Sequence, residues 1–285
     1  MKKFIVFLIG LFATQSSLFA QQKSLLWKVS MKGQPDSYLF GTIHAICQED
    51  YLEMELLYEA LERSQQLILE VDMNDPQAIA EMQSKMVLRG DTTLRLWIPN
   101  DDDYFFIADE CARQGITLEE FMRFKPMMLI SMLSMKSFQC ENIASYENNL
   151  TQLAQKTDKP ILGLESASYQ LNLFDALSSE DIVRMIKATL EEIKAAEQTS
   201  AMTQLYRNQD IQGLYEMVAQ SAEMKDHQDL FLTKRNQNWV KALPELINRT
   251  SSLIAVGAGH LAGPQGLIAL LKSKGYQVEP VKSFP

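Results

Sequence analysis

The stretch 252-SLIAVGAGH-260 decides the fold. Leu253, Ile254, Ala255 and Val256 form an apolar run too short for a helix, and the run breaks at Gly257. Apolar residues without alternation mark a strand buried on both faces, as in a parallel sheet covered by helices. After it, Pro264 opens a helical pattern to about Lys274, and 275-GYQVEPV-281 closes the chain as a strand. Two more short apolar runs have the same form, 66-QLILEVD-72 and 160-PILGLES-166. At the front, 25-LLWKVS-30 and 37-SYLF-40 flank 33-GQPD-36, which spells an antiparallel hairpin.

Helical patterns fill the intervals. Glu49 or Asp50 opens one through about Arg63, with Leu52, Leu56, Leu57, Ala60 and Leu61 on one face. Others run from Asp75-Pro76 to Gly90, from Asn100 to Gly115, over the Met-rich residues 126–140, and from Ser145 to just before Lys159-Pro160. A long one follows 178-SSED-181, and another spans 226–243. Strands alternating singly with helices imply an α/β fold. The expected architecture is a mostly parallel sheet with an N-terminal antiparallel hairpin, helices on both faces and a helical insertion at about 76–145. With no Gly/Ser/Pro-rich linker, residues 21–285 are expected to form a single domain.

Residues 1–20 combine Lys2 and Lys3 with the apolar run Phe4–Ala13 and end in Leu18-Phe19-Ala20. That is the pattern of a cleaved secretory signal, with an uncleaved anchor as the rival. The run is about half the ~20 residues a membrane-spanning helix needs. The chain is therefore expected in the periplasm or cell envelope, without stable membrane insertion after cleavage. Removing two lysines takes the formal net charge from -9 to -11. An acidic chain without basic clusters offers nucleic acid no footprint. Three cysteines, Cys47, Cys111 and Cys140, allow at most one internal disulfide, and spacing does not say which. Cys47 lies three residues past His44, but a zinc pair of that kind needs a second such pair, and none has the spacing; a structural or disulfide role is expected.

In open α/β sheets ligands bind beyond the carboxyl ends of the strands. Those ends carry Gly41-Thr42-Ile43-His44, Glu70 with Asp72, Glu165, and Gly257-Ala258-Gly259-His260. Two of them share the form G-x-x-H, in which glycine permits close backbone approach and a histidine follows. Imidazoles with carboxylates suit a borderline divalent metal, and such a site with open positions activates water for hydrolysis. Glu70 within an apolar run needs a partner or a metal. Asp72 suits a turn cap, Glu165 suits either the site or the start of a helix, and His227 suits the surface. Arg235 has Phe231, Leu232, Trp239 and Ala242 at helical spacing, so it faces inward and needs acidic partners. It serves as an ion-pair partner or steadies an oxyanion, with Asn236 beside it. The Met-rich helix, with Met127, Met128, Met132 and Met135, suits core or a groove.

In order, Leu26-Trp27-Lys28-Val29, Tyr38–His44, Leu69-Glu70, Ile161–Glu165 with Gln170, Arg235-Asn236 with Trp239, and Val256–Leu261 running into Gly266 and Gly275-Tyr276 resemble the TraB/GumN (PrgY) family, related to the animal Tiki metalloproteases. The resemblance implies a fold shared with erythromycin esterases and ChaN-like haem-binding proteins. It implies a metal centre on His44, His260 and Glu70, with Glu70 as third ligand or general base and Glu165, Arg235 and Asn236 in the pocket as further catalytic candidates, Glu165 as another ligand or base. It suggests manganese or cobalt; the ion expected here is divalent (Mn, Co, Zn or Fe), with a peptide or small-molecule substrate. The expected activity is that of a metal-dependent hydrolase, most simply a peptidase. The alternatives are a metal-independent esterase-like hydrolase or a non-catalytic protein that binds haem, iron or a peptide.

Overall fold

A computed structural model describes residues 23–195, 197–221 and 224–284. The expected signal segment lies outside the described residues. The chain folds as α/β around a six-stranded sheet of order β6-β4-β7-β2-β1-β8. The strands are β1 (Leu26–Ser30), β2 (Ser37–Thr42), β4 (Gln66–Leu69), β6 (Ile161–Gly163), β7 (Ser252–Gly257) and β8 (Gln277–Pro280). β6, β4, β7 and β2 are mutually parallel, and β1 runs antiparallel to both β2 and β8. The apolar run of β7 is central, with Leu253, Ile254, Ala255 and Val256 fully buried. Its lack of alternation reflects exclusion of water from both faces.

Helices α1 (Glu55–Arg63) and α5 (Tyr146–Lys156), with α10 (Lys234–Ile247) and α11 (Leu267–Ser273), contribute Leu57, Leu150, Trp239 and Leu267 to the core around this sheet. A second apolar cluster joins residues of α3 (Asp101–Arg113), α4 (Pro126–Lys136) and α7 (Ser179–Ala195), including Ile107, Leu129 and Ile186. α2 (Pro76–Met86), α8 (Glu197–Arg207) and α9 (Ile211–Gln220) complete the longer helices.

Several boundaries differ from the sequence pattern, some through tertiary contacts and some through local turns. α1 starts at Glu55, not at Glu49 or Asp50, because Tyr51 stacks on Tyr146 at 4.2 Å and Leu52 exchanges hydrogen bonds with the Tyr146 hydroxyl. α4 stops at Lys136 rather than continuing to 140, and Cys140 instead reaches Cys47 in a disulfide. α11 starts at Leu267, after a turn in which Gly263 takes φ +83, and not at Pro264. The extent of α6 (Ala167–Asp175) was not foreseen beyond the helix start left open at Glu165; Ser166 caps it by accepting from Tyr169 N–H at 3.1 Å. A two-stranded ribbon of β3 (Ile46–Cys47) and β5 (Ile143–Ala144) was equally unforeseen, and the disulfide fastens it. Cys111 is a free, buried thiol. No described helix is long and apolar enough to cross a membrane.

Candidate functional site

Strand order sets the site. Across the adjacent parallel strands β6, β4, β7 and β2, the chain leaves the sheet into Glu165, Glu70, His260 and His44 respectively. The register aligns these exits, pairing Leu69 with Gly163 and Ala255, and Thr42 with Gly257. Gly257 sits between the second and fourth of these side chains. A Cβ there would lie 3.3 Å from Glu70 Oε1, 3.7 Å from His260 Cδ2 and 3.8 Å from His44 Nε2. The absence of a side chain keeps the space between the two imidazoles open.

Glu70 is buried, and its Oε1 accepts from Gly257 N–H at 2.8 Å. Its Oε2 accepts from Arg235 Nη2 and, at 3.1 Å, from Gln170 Nε2. Burial alone would raise its carboxyl pKa. The positive fields of His260 when protonated, Arg235 and His44, with the Gly257 amide, outweigh it and hold the group at about 2. Glu165 is engaged on both oxygens. Arg235 Nη2 and Nε donate to Oε1 at 2.6 and 3.0 Å, Gln170 Nε2 to Oε1 at 2.9 Å, and Trp239 Nε1 to Oε2 at 3.0 Å. Its part is therefore to hold Arg235, and the helix-start role open to it in sequence falls to Ser166.

Arg235 comes from the first turn of α10, preceded by a π-helical turn at Asp229–Thr233. The guanidinium lies 4.8 Å from the Trp239 ring and donates through Nη1 to the Phe231 carbonyl at 3.2 Å. The same Nη1 meets His260 Nε2 at 3.1 Å. A guanidinium only donates, so Nε2 of His260 carries the lone pair and Nδ1 carries the proton. Nδ1 meets Asn236 Oδ1 at 2.7 Å, and the Asn236 amide nitrogen donates to the carbonyls of Gln265 and His260 at 2.7 and 3.3 Å. Burial, with the charges of Arg235 and His44, pulls the His260 pKa down to about 3 against the pull of Glu70, so the ring is neutral at physiological pH.

His44 has a different setting. Its Nδ1 lies 2.8 Å from Glu147 Oε1, which also accepts from Thr42 Oγ1 at 2.6 Å. Glu147 stands in the first turn of α5, beside the capping Ser145, whose Oγ donates to Glu147 Oε2 at 3.1 Å. The His44 side chain is 73% exposed yet stands in a crowded recess, and the hydrogen bond to Glu147 pushes its pKa up to about 9. The recess, about 280 Å³, is lined by His44, Glu70, Asn74, Glu147, Asn148 and Gln170 among others. Glu147 was missed in sequence. A first-turn acid reads locally as a partner for the helix dipole, and nothing near it announces His44 more than a hundred residues away.

Of the remaining candidates, Asp72 caps a turn by accepting from Asn74 N–H at 2.9 Å. His227 is half-buried beside Asp181 at 3.1 Å, not at the open surface, and takes no part in the cluster. Cys47 is spent in the disulfide.

The residues fit a divalent metal in kind and orientation. Both imidazoles are fixed through Nδ1, by Glu147 and by Asn236; His44 Nε2 and Glu70 Oε1 border the Gly257 space, which His260 reaches through Cδ2 while its Nε2 meets Arg235 Nη1. Metal-ligating histidines are commonly oriented through the other ring nitrogen in this way. The donors are spread, with His260 Nε2 and Glu70 Oε1 3.9 Å apart. Among the described residues, the group of three metal-ligating side chains already within 4.8 Å of one another is Cys47, Glu49 and Cys140, whose sulfurs are joined. Seating an ion on His260 requires Arg235 Nη1 to leave Nε2 and rely on Glu165.

Fold and site thus define an α/β protein with a histidine–carboxylate–arginine centre at the carboxyl ends of four parallel strands. The chain belongs to the TraB/PrgY/gumN family, whose model matches residues 25–280. It is 22% identical over 316 residues to metalloprotease TIKI2 of Danio rerio, covering 90% of this chain and 60% of that protein. It is 22% identical to a metalloprotease TIKI homolog of Amphimedon queenslandica, covering 91% of this chain and 62% of the relative. The chain therefore spans less than two thirds of the length of these relatives. No solved structure matches it.

Proposed function

We propose that this chain is a metal-dependent hydrolase acting on peptides in the periplasm or cell envelope. The observation that carries this is the pair of imidazoles, each anchored at Nδ1 and gathered with Glu70 Oε1 around a side-chain-free Gly257, His44 through a free-standing Nε2 and His260 through an Nε2 that Arg235 Nη1 must release. His44 Nε2, His260 Nε2 and Glu70 Oε1 would hold the ion, of the Mn, Co, Zn or Fe kind. When bound, it supplies Lewis acidity and lowers the pKa of water. Asn236 and Glu147 keep the proton on Nδ1 of each ring. Glu165, Trp239 and Gln170 hold the Arg235 guanidinium where it can stabilise negative charge developing on a carbonyl oxygen. The recess beside Glu147 and Gln170 receives the peptide backbone. The similarity to proteins named metalloproteases supports the reaction class, and the Cys47–Cys140 disulfide suits an oxidising compartment.

A second assignment rests on one observation, the His44–Glu147 pair, which has the form of a general base oriented by a carboxylate; with the His44 pKa at about 9 the base form prevails only at alkaline pH. Chelation separates the two. Peptide cleavage that stops with chelator and returns with added metal supports the metal-dependent assignment. Cleavage that survives exhaustive chelation but is lost in His44→Ala overturns it in favour of bare imidazole.

A further inference from the structure

Beside the histidine cluster lies a second cavity of about 390 Å³ that the chemistry above leaves unused. Five methionines and three phenylalanines line it, among them Met127, Met202, Met217, Met224, Phe138 and Phe174. Well-packed interiors leave few voids larger than a water molecule, whereas this volume falls within the roughly 300–1,000 Å³ of ligand pockets. The cavity is tied to the site on three sides. Ile43 and Ala45, which flank His44 in the chain, form part of its wall. Val218 of α9 lines it and also packs under the turn carrying His260, where a Cβ on Gly259 would come within 3.4 Å of Val218 Cγ1. Phe231 lines it while its carbonyl accepts from Arg235 Nη1.

The lining also selects the ligand. Glu192 is the one ionisable side chain among the described lining residues, so the cavity offers no cation to an anionic group. Methionine side chains are flexible and polarisable and adapt to apolar groups of varied shape. We infer that this cavity is the side-chain subsite of the site, taking a large apolar side chain (Met, Leu or Phe in size) of a peptide whose backbone crosses His44. The inference rests on the hydrolytic assignment above and deepens it by naming the substrate class.

The test uses fluorophore-labelled hexapeptides identical except at one central position, carrying Gly, Asp, Leu, Met or Phe. Binding by anisotropy and cleavage are read separately, on the parent protein, on Ser134→Trp, which fills the cavity from α4, and on Met217→Gln, which makes its wall polar. Both variants are first checked for native circular dichroism. Small apolar differences in such pockets are worth roughly 10–200-fold. The expected result is Leu, Met and Phe peptides binding at least about tenfold tighter than Gly or Asp peptides, with both variants losing that preference while binding the Gly peptide as before. Equal binding across the series, or a preference that persists in both variants, overturns the subsite. Binding of dodecanoate with no binding of any peptide overturns the peptide assignment in favour of an acyl chain. Apolar preference without cleavage would leave the subsite standing and sink hydrolysis. Cleavage indifferent to the central residue would do the reverse.

Discussion

Replacing Arg235 with methionine removes the cation held between the buried carboxylates of Glu70 and Glu165. Losing one partner of a buried ion pair typically costs about 3–5 kcal/mol, because the remaining charge stays desolvated. The Glu70 pKa falls from 4.5 to about 2 on folding, and at 1.36 kcal/mol per pH unit this corresponds to about 3 kcal/mol, a total to which protonated His260, Arg235, His44 and the Gly257 amide all contribute. A depressed carboxyl contributes that stability above its unfolded pKa and loses it as the pH falls toward 2. Without Arg235 one of these lowering contributions is lost and burial moves the Glu70 carboxyl pKa upward, toward holding its proton. Urea denaturation in the presence of chelator, at pH 7.5 and at pH 5, reads both effects. The expected deficit is about 3–5 kcal/mol at neutral pH, shrinking by about 1 kcal/mol or more on acidification as Glu70 protonates. A deficit under about 1 kcal/mol, or one independent of pH, would refute the picture of Arg235 as the counter-ion of both carboxylates.

Glu147→Gln should return the His44 titration from about 9 toward 6.5 in the metal-free protein, read by NMR of the imidazole, and lower hydrolysis by about 10–100-fold. A titration unmoved by the substitution would remove Glu147 from the site. Cys140→Ser should cost roughly 2–4 kcal/mol in urea unfolding, because the bridge to Cys47 closes a long loop and fastens the β3–β5 ribbon; unchanged stability would contradict that role. Gly257→Ala should keep the fold, since φ -50 accepts a side chain, with a modest fall in the unfolding midpoint as the Cβ presses on Glu70 Oε1 at 3.3 Å, yet lower activity by about 100-fold by filling the space between the histidines. Full activity in that variant would show the space to be irrelevant.

The strands and the polar groups at their ends were legible because a doubly buried strand has a one-dimensional signature. The apolar run of β7, broken at Gly257, gives its type and its end without knowledge of its neighbours. Arg235 was legible because helical spacing places it among Phe231, Leu232 and Trp239. What the pattern missed depends on distant partners. α1 begins late because Tyr146 holds Leu52 extended. The ribbon pairs Ile46-Cys47 with Ile143-Ala144, nearly a hundred residues away, and the Cys47–Cys140 bridge fastens it. Glu147 enters the site because α5 brings its first turn to His44. The functional split between the two carboxylates was also beyond sequence. Glu165 is engaged by Arg235, Gln170 and Trp239, while Glu70 Oε1 faces the Gly257 space with a single backbone donor. His44 and His260 look alike as G-x-x-H motifs, yet one ring is held near a carboxylate and open to solvent, and the other is sealed beside a guanidinium.

Elemental analysis of the purified protein, after loading with Mn, Co, Zn or Fe and desalting, bears most directly on the metal centre. The parent protein should retain about one divalent ion per chain, as a site of two imidazoles and a carboxylate would, and the His44→Ala/His260→Ala double variant should retain none. Undiminished metal in a natively folded double variant, or a metal-free parent that still cleaves peptides, would contradict it.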